Sequence, residues 1–340
     1  MGAAAAFREG VRRVNRAPFV LLGMCLFTLL FALPLSLVVR EAIRSHLGAS
    51  LAADAAASGA NYDWWQEFSA QASGLAASFA PSIVGFGAVL DNVDGLLENA
   101  PLATAVAGAI ATWMVFWSFL AGGVMDRYAR IRPTRAHGFF AACGTHFWRF
   151  LRLGVLAFAA YAFLFGLVHG WILDTAYERL TRNMTEERAA FAVRIAGYLL
   201  FGIFLVAVNL IFDYARVRIV VEDRRSAVGA ILSGARFVRR NHGTVFLYLL
   251  NGIAFLILVL LYALATPGAP GSGLWMWITL ALGQAYIVAR HYLKLLFYAS
   301  QVAFFQSALA HASYTAAPAV VWPDSPAAEA ILNADASPGR

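Results

Sequence analysis

The chain has 340 residues, 61% of them hydrophobic and only 13% charged, with a mean hydropathy of +0.66 and a formal net charge of +7. A soluble domain carries roughly 45–50% apolar and about 25% charged residues, and here the apolar residues fall in runs long enough to cross a bilayer, which takes about 20 residues per helix. A soluble globular protein is excluded, and an all-α integral membrane protein is expected. Of the 26 basic residues 25 are Arg, placed beside the ends of apolar runs as orientation signals are. No basic face is interleaved with exposed aromatics, so nucleic-acid binding is excluded too.

Residues 1–17 carry Arg8, Arg12, Arg13 and Arg16 against Glu9 alone, a basic stretch that holds the N-terminus in the cytoplasm. The first span is 18–39. It is too long for a cleavable signal core and no small-residue cleavage site follows, so it is retained, with Pro34 as a kink. Met24 is too large to precede a lipidated Cys25, and Cys25 and Cys143 lie too far apart in the topology to pair. From Ser45 to Met125 there is no Lys or Arg, against six acids, which makes 40–100 an external helical insert. Within it Asn61 or Asp63 caps a helix that exposes Trp64, Trp65 and Phe68. Residues 81–99 then read as an amphipathic helix, with Ile83, Phe86, Leu90, Val93 and Leu97 on one side and Asp91, Asp94 and Glu98 on the other. The two helices form an expected aromatic-acidic external cap, lying on the membrane surface or over the bundle.

The second span is 101–124, with Trp113 and Trp117 one turn apart. It leads into a cytoplasmic segment, 125–152, made of a four-Arg turn and an amphipathic helix. The third span, 153–173, contains Gly166 and Gly170 at a spacing that permits close helix approach. An external loop (174–190) and a fourth span (191–213) follow, with Arg194 placed to snorkel. The second cytoplasmic segment, 214–243, is again a basic turn and an amphipathic helix, capped by Ser226. The fifth span is 244–265 and residues 266–273 are an external turn. A sixth span starts at Leu274, and 274–310 reads as one helix with a cytoplasmic extension, although Arg290, His291 and Lys294 interrupt the apolar pattern. A re-entrant piece beyond them is the alternative. Residues 315–340 are Ala/Pro-rich and expected to be disordered. In this arrangement 20 basic residues lie inside and 6 outside, with both termini cytoplasmic. Arg in place of Lys and the Ala-rich usage point to a bacterial cytoplasmic (inner) membrane.

Tyr128-Ala-Arg-Ile-Arg132 matches Tyr214-Ala-Arg-Val-Arg218, each preceded by an acid, Asp126 or Asp213, and Ala136-x-Gly138 matches Ala227-x-Gly229. Val288–Tyr292 reads as a third, eroded copy. The pattern implies an internal duplication with pseudo-symmetry about the membrane normal. An acid-Tyr-Ala-Arg turn, an amphipathic helix and an aromatic-rich span together resemble a broad set of bacterial six-helix membrane domains. One group of these is attached to some glycerophosphodiester phosphodiesterases, and others stand alone with unknown function. The resemblance covers roughly Trp113–Leu309. It implies a six-helix bundle and carries no catalytic residues. The soluble phosphodiesterase barrel has no counterpart, and the insert 45–100 is a further departure.

Chemistry is sparse. Neither Asp63/Glu67 nor the acids of 91–98 have calcium-loop spacing. His169 and His291 fall near opposite membrane faces, which argues against haem, and no nucleotide or nucleophile motif appears. No metal, cofactor or catalytic residue is therefore expected. Asn209, Asn251 and Gln284 sit about 10 Å inside the cytoplasmic boundary on the last three spans, as an intramembrane polar layer. Such amides either hydrogen-bond between helices or line a substrate site. Arg149 and Arg152 on the first amphipathic helix, with Arg216, Arg218, Arg236, Arg239 and Arg240 around the second, are candidates for anionic lipid headgroups. Three functions follow: a non-enzymatic bundle organising lipid or a partner protein, a transporter of lipid or a small amphiphile, or, least favoured, a membrane-embedded enzyme.

Overall fold

A computed structural model describes residues 1–48, 50–57, 61–79, 93–99, 104–131, 135–266 and 273–311. The expected first half of the 81–99 helix, with Ile83, Phe86, Leu90 and Asp91, lies outside these residues, as do most of the 266–273 turn and the tail from 315. No strand occurs among the described residues. The separate α-helices are α1 (Ala3–Asn15), α2 (Pro18–Leu47), the short α3 (Ala53–Ala57), α4 (Tyr62–Gln71), α5 (Thr104–Arg130), α6 (Ala136–Phe163), α7 (Glu187–Val221), α8 (Ala227–Arg240), α9 (Gly243–Ala265) and α10 (Leu274–His311). Five helices are long and apolar enough to cross a membrane: α2, α5, α6 with its continuation, α7 and α9.

Several boundaries differ from the sequence reading. Residues 1–17 are not merely a basic tail. They form α1, which buries Ala6, Gly10, Arg13 and Val14 against α10 and the end of α5. Residues 125–152 and 153–173 are not separate elements. Helix runs unbroken from Ala136 to Thr181, through π-helical stretches at Leu164–His169 and Trp171–Ala176 and a last turn at Tyr177–Thr181, so, with α7 starting at Glu187, only residues 182–186 of the expected 174–190 loop are non-helical. Arg149 and Arg152 are good helix formers and leave the backbone no reason to stop. In the second copy α8 does separate from α9, because Asn241 leaves helical geometry and its side chain donates to the Phe237 carbonyl at 2.9 Å. At 46 residues the α6 rod is about 69 Å long, well beyond a hydrocarbon core of about 30 Å.

The helices alternate in direction between a basic end and an opposite end. α9 and α10 run antiparallel, with Tyr262 stacked on Tyr286 (4.2 Å), Asn251 bonded to Ser300 and Tyr248 against Phe297. α10 therefore traverses the bundle, although its polar residues keep it out of the five apolar helices. The main core gathers at the basic end, where α1, the end of α5, α7, α8 and the second half of α10 meet around Met125, Tyr128, Tyr214, Ile219, Phe237 and Phe305. Elsewhere packing is open. Only 6% of the apolar window of α2 is buried within the protein, and 17–28% of the other four.

The two motif copies make similar hairpins. Tyr128 and Tyr214 are both fully buried with unpartnered hydroxyls. In the first hairpin a Cβ on Gly123 would meet the Phe139 carbonyl at 2.9 Å and the Cys143 thiol closer still. In the second, a Cβ on Gly234 would meet the Ile211 carbonyl at 2.9 Å. Close approach is made there and not at Gly166, where a Cβ would find open space.

Candidate functional site

Two polar stripes face each other near the basic end. On α7, Asn209, Asp213 and Arg216 recur at helical spacing, and on α10 so do Arg290, Lys294, Tyr298 and Gln301. Arg216 Nη1 donates to Asp213 Oδ1 at 3.0 Å, and Gln301 Nε2 donates to Asp213 Oδ2 at 2.9 Å. Both oxygens of the carboxylate are thus engaged. Lys294 Nζ stands 3.6 Å from the centroid of the Trp117 ring, a close cation–π contact, and Trp117 stacks on Tyr298 at 6.0 Å.

Between the stripes lies a cavity of about 580 Å³, lined by Asp213, Arg216, Arg290, His291 and Lys294 and closed by Thr28, Trp113, Phe255 and Phe297. With Arg216, Arg290 and Lys294 protonated and Asp213 ionised, its described lining carries a formal charge of +2 when His291 is neutral. Among the described residues no carboxylate lies within 4.0 Å of Arg290 or Lys294. His291 Nε2 is buried without a hydrogen-bond partner. Lys294 is half-buried with the Trp117 face beside it, and Arg290 is exposed with no described carboxylate near, so an anion binding between them would gain two donors without displacing an existing ion pair. Chemically, the cavity offers two guanidinium groups, an ammonium and an imidazole to an anionic oxygen cluster.

The sequence-level candidates divide. Of the seven arginines only Arg216 lines the cavity. Arg218 pairs with Glu222 at 3.3 Å and stacks on Phe237 and Phe305, and Arg149 pairs with Asp223 in the α7–α8 turn. Arg152, Arg236, Arg239 and Arg240 are exposed at the basic end. The three amides do not form one layer. Asn209 accepts from the Tyr161 hydroxyl, Asn251 Nδ2 donates to Ser300 Oγ at 3.1 Å, and Gln284 is exposed, about 24 Å along α10 from Ser300. Two of them are interhelical pins, and the third is exposed although it shares a helical face with Ile287 and His291, because none of residues 274–289 of α10 is buried by its neighbours. The cavity residues Arg290, His291 and Lys294 were visible only as a break in an apolar run. The recurrence of Arg290, Lys294 and Tyr298 at intervals of four was the available signal.

At the opposite end the expected exposure of the cap aromatics is corrected. Trp64 and Phe68 are buried against the end of α2, and Trp64 Nε1 donates to His46 Nδ1 at 3.1 Å. Trp65 is half-buried and donates to the Phe79 carbonyl at 3.2 Å. Of the cap acids, Asp94 is exposed, while Glu98 meets Arg194 at 3.7 Å and accepts from Tyr198 at 3.2 Å. His169 Nε2 donates to the Leu97 carbonyl at 2.8 Å, which ties residues 93–99 to the π-helical part of α6. Among the described residues no group of three His, Cys, Asp or Glu could hold a metal ion. Comparison with known protein families, curated proteins and solved structures returns no match.

Proposed function

We propose that this chain is a non-enzymatic membrane bundle that holds the headgroup of an anionic lipid in the cavity between α7 and α10. The observation that carries the reading is the positive charge of Arg290 and Lys294, without a carboxylate partner, in a cavity whose one carboxylate among the described residues is already bonded twice. A phosphate would accept from the Arg216, Arg290 and Lys294 donors. In this reading α10 is the sixth span, the basic end and both termini face the cytoplasm of a bacterial inner membrane, and the α5–α6 and α7–α8 hairpins are copies of one duplicated unit. The likeness to membrane domains attached to some phosphodiesterases belongs to the same proposal. The exposed Val228 and Leu232 of α8, beside Arg236, Arg239 and Arg240, add a surface suited to the inner leaflet.

Native mass spectrometry from nanodiscs of phosphatidylethanolamine and phosphatidylglycerol tests it. The wild-type protein retains phosphatidylglycerol, Arg290→Gln/Lys294→Gln loses it, and Arg236→Gln/Arg239→Gln/Arg240→Gln keeps it. Equal retention by the cavity variant and the wild type, or none by either, refutes the assignment.

A further inference from the structure

A second cavity, of about 820 Å³, lies toward the opposite end, between α2 and α5. Its walls are mostly apolar, from Phe31, Leu35 and Ile43 of α2 and Val106 and Ile110 of α5, but Arg40 and Arg44 also line it. Among the described residues neither arginine has a carboxylate within 4.0 Å. The two cavities share a single lining residue among those described, Trp113. Its ring packs on Phe27 at 5.4 Å and Phe31 at 5.3 Å, so an aromatic plug joins α2 to α5 where one cavity ends and the other begins.

The wall on the other side of this plug is the least anchored span. Met24 is the one fully buried residue of α2. Pro34 lies within the helix just beyond the plug, and with no N–H of its own it leaves the Leu30 carbonyl without its helical donor. A weak point in the backbone thus coincides with the boundary between the cavities. From Thr28, which lines the inner cavity, to Arg44, which lines the outer one, α2 rises about 24 Å. That is most of a hydrocarbon core of about 30 Å.

We infer that the two cavities are halves of one path along which the headgroup of an anionic lipid crosses the bilayer, with Trp113 as the barrier and α2, bending at Pro34, as its moving wall. The inference rests on the headgroup reading above and adds passage to binding. Arg290 and Lys294 serve as the station at the basic end, and Arg40 and Arg44 as the station at the other. The acyl chains follow in the surrounding lipid, along the exposed Leu30, Leu33 and Leu37 of α2. Cations at both ends matter because a bare phosphate in hydrocarbon would lack any compensating charge.

The test is a dithionite assay in proteoliposomes carrying trace phosphatidylglycerol labelled with NBD on an acyl chain. The wild-type protein should expose the inner-leaflet pool faster than protein-free vesicles. Trp113→Ala should raise the rate several-fold, Trp113→Phe should leave it near wild type, and Arg40→Gln/Arg44→Gln should lower it for phosphatidylglycerol more than for labelled phosphatidylcholine. Should Trp113→Ala fail to fold, the Arg40/Arg44 variant decides. A rate equal to protein-free vesicles for both wild type and Trp113→Ala overturns the path. If phosphatidylglycerol is nonetheless retained in nanodiscs, passage fails and binding stands; if it is not retained, both fail.

Discussion

Replacing Arg13 by Met should unlock the N-terminal helix from the basic end. Arg13 is 8% exposed. Its Nη1 donates to the Tyr128 carbonyl at 3.0 Å and to Gln306 Oε1 at 2.9 Å, and its Nε donates to Glu9 at 3.2 Å. Gln306 Nε2 in turn donates to the Ala129 carbonyl at 2.9 Å, so two side chains from α1 and α10 satisfy carbonyls in the last turn of α5 that have no helical partner. Each hydrogen bond from a charged donor contributes about 1.5–3 kcal/mol. The two to Tyr128 and Gln306 are lost outright, whereas Glu9 keeps Arg12 at 3.3 Å. Against this loss, the variant no longer has to desolvate a guanidinium, which offsets part of it. The net expectation is destabilisation by about 3 kcal/mol, within the range for removing one partner from a buried charged network. Burial pulls the Arg13 pKa down, yet a guanidinium remains protonated throughout the working range, so the effect should not vary with pH. Denaturant titration in detergent micelles measures the stability, and limited trypsin digestion at Arg8 and Arg12 reports release of α1. A change under about 0.5 kcal/mol, the scale of an ordinary surface substitution, with unaltered digestion, would refute the clamp.

The remaining predictions probe separate joints. Gly10→Val should also loosen α1, by about 1–3 kcal/mol as overpacking does, because a Cβ there meets Ser300 Cβ at 2.8 Å and its backbone nitrogen at 2.9 Å; unchanged melting would contradict the contact. Ile131 follows α5 with φ of 57°, a left-handed conformation that is strained for a β-branched residue, so Ile131→Gly should stabilise by about 1 kcal/mol, and a lower melting temperature would oppose this. Arg149 holds the Asp223 carboxyl below the usual carboxylate range through a hydrogen bond. Since the folded pKa is the lower one, the contribution is present above the unfolded value and lost as pH falls through the folded value. Asp223 is 71% exposed, so Asp223→Asn should flatten the acid side of the stability profile by no more than about 1 kcal/mol; an unchanged profile would exclude the linkage. A reporter fused at Ala72 should read external and one at Ser233 internal, and the reverse pattern would invert the proposed orientation.

Apolar runs made α2, α5, α7 and α9 legible because the bilayer forces about 20 residues of one character to be contiguous. Helix ends were less so. Charges mark where a chain meets water, but Arg40 and Arg44 extend α2 without interrupting its backbone, and it is Asn241, not the arginines before it, that ends α8 ahead of α9. The same emphasis on charge hid α1. Arg13 reads as one more orientation signal, although Ala6, Gly10, Arg13 and Val14 fall on one helical face in the sequence itself. Trp64 and Phe68 illustrate a different limit, since an aromatic face looks alike whether it meets lipid or protein, and only the proximity of Ala42, Ile43 and Leu47 on α2 decides the matter.

The location of the core connects these observations. Between helices surrounded by lipid tails there is little hydrophobic force, because the solvent is as apolar as the side chains. Tight packing should therefore accumulate where the helices emerge into water, and the main cluster does sit at the basic end around Tyr128, Tyr214, Phe237 and Phe305. There α1 and α10 clasp α5 through Arg13 and Gln306. Toward the other end the spans bury little of one another, and Trp113 with its two Phe neighbours forms an aromatic contact between α2 and α5 in the middle of an otherwise open crevice. In the proposed path, a bundle clamped at one end and sparsely packed along α2 would keep Arg216, Lys294 and Tyr298 in register as α2 bends at Pro34. The clamp and the cavities are thus mechanically separable: loss of Arg13 should lower stability without closing the crevice, and loss of Trp113 should open the crevice without loosening the clamp.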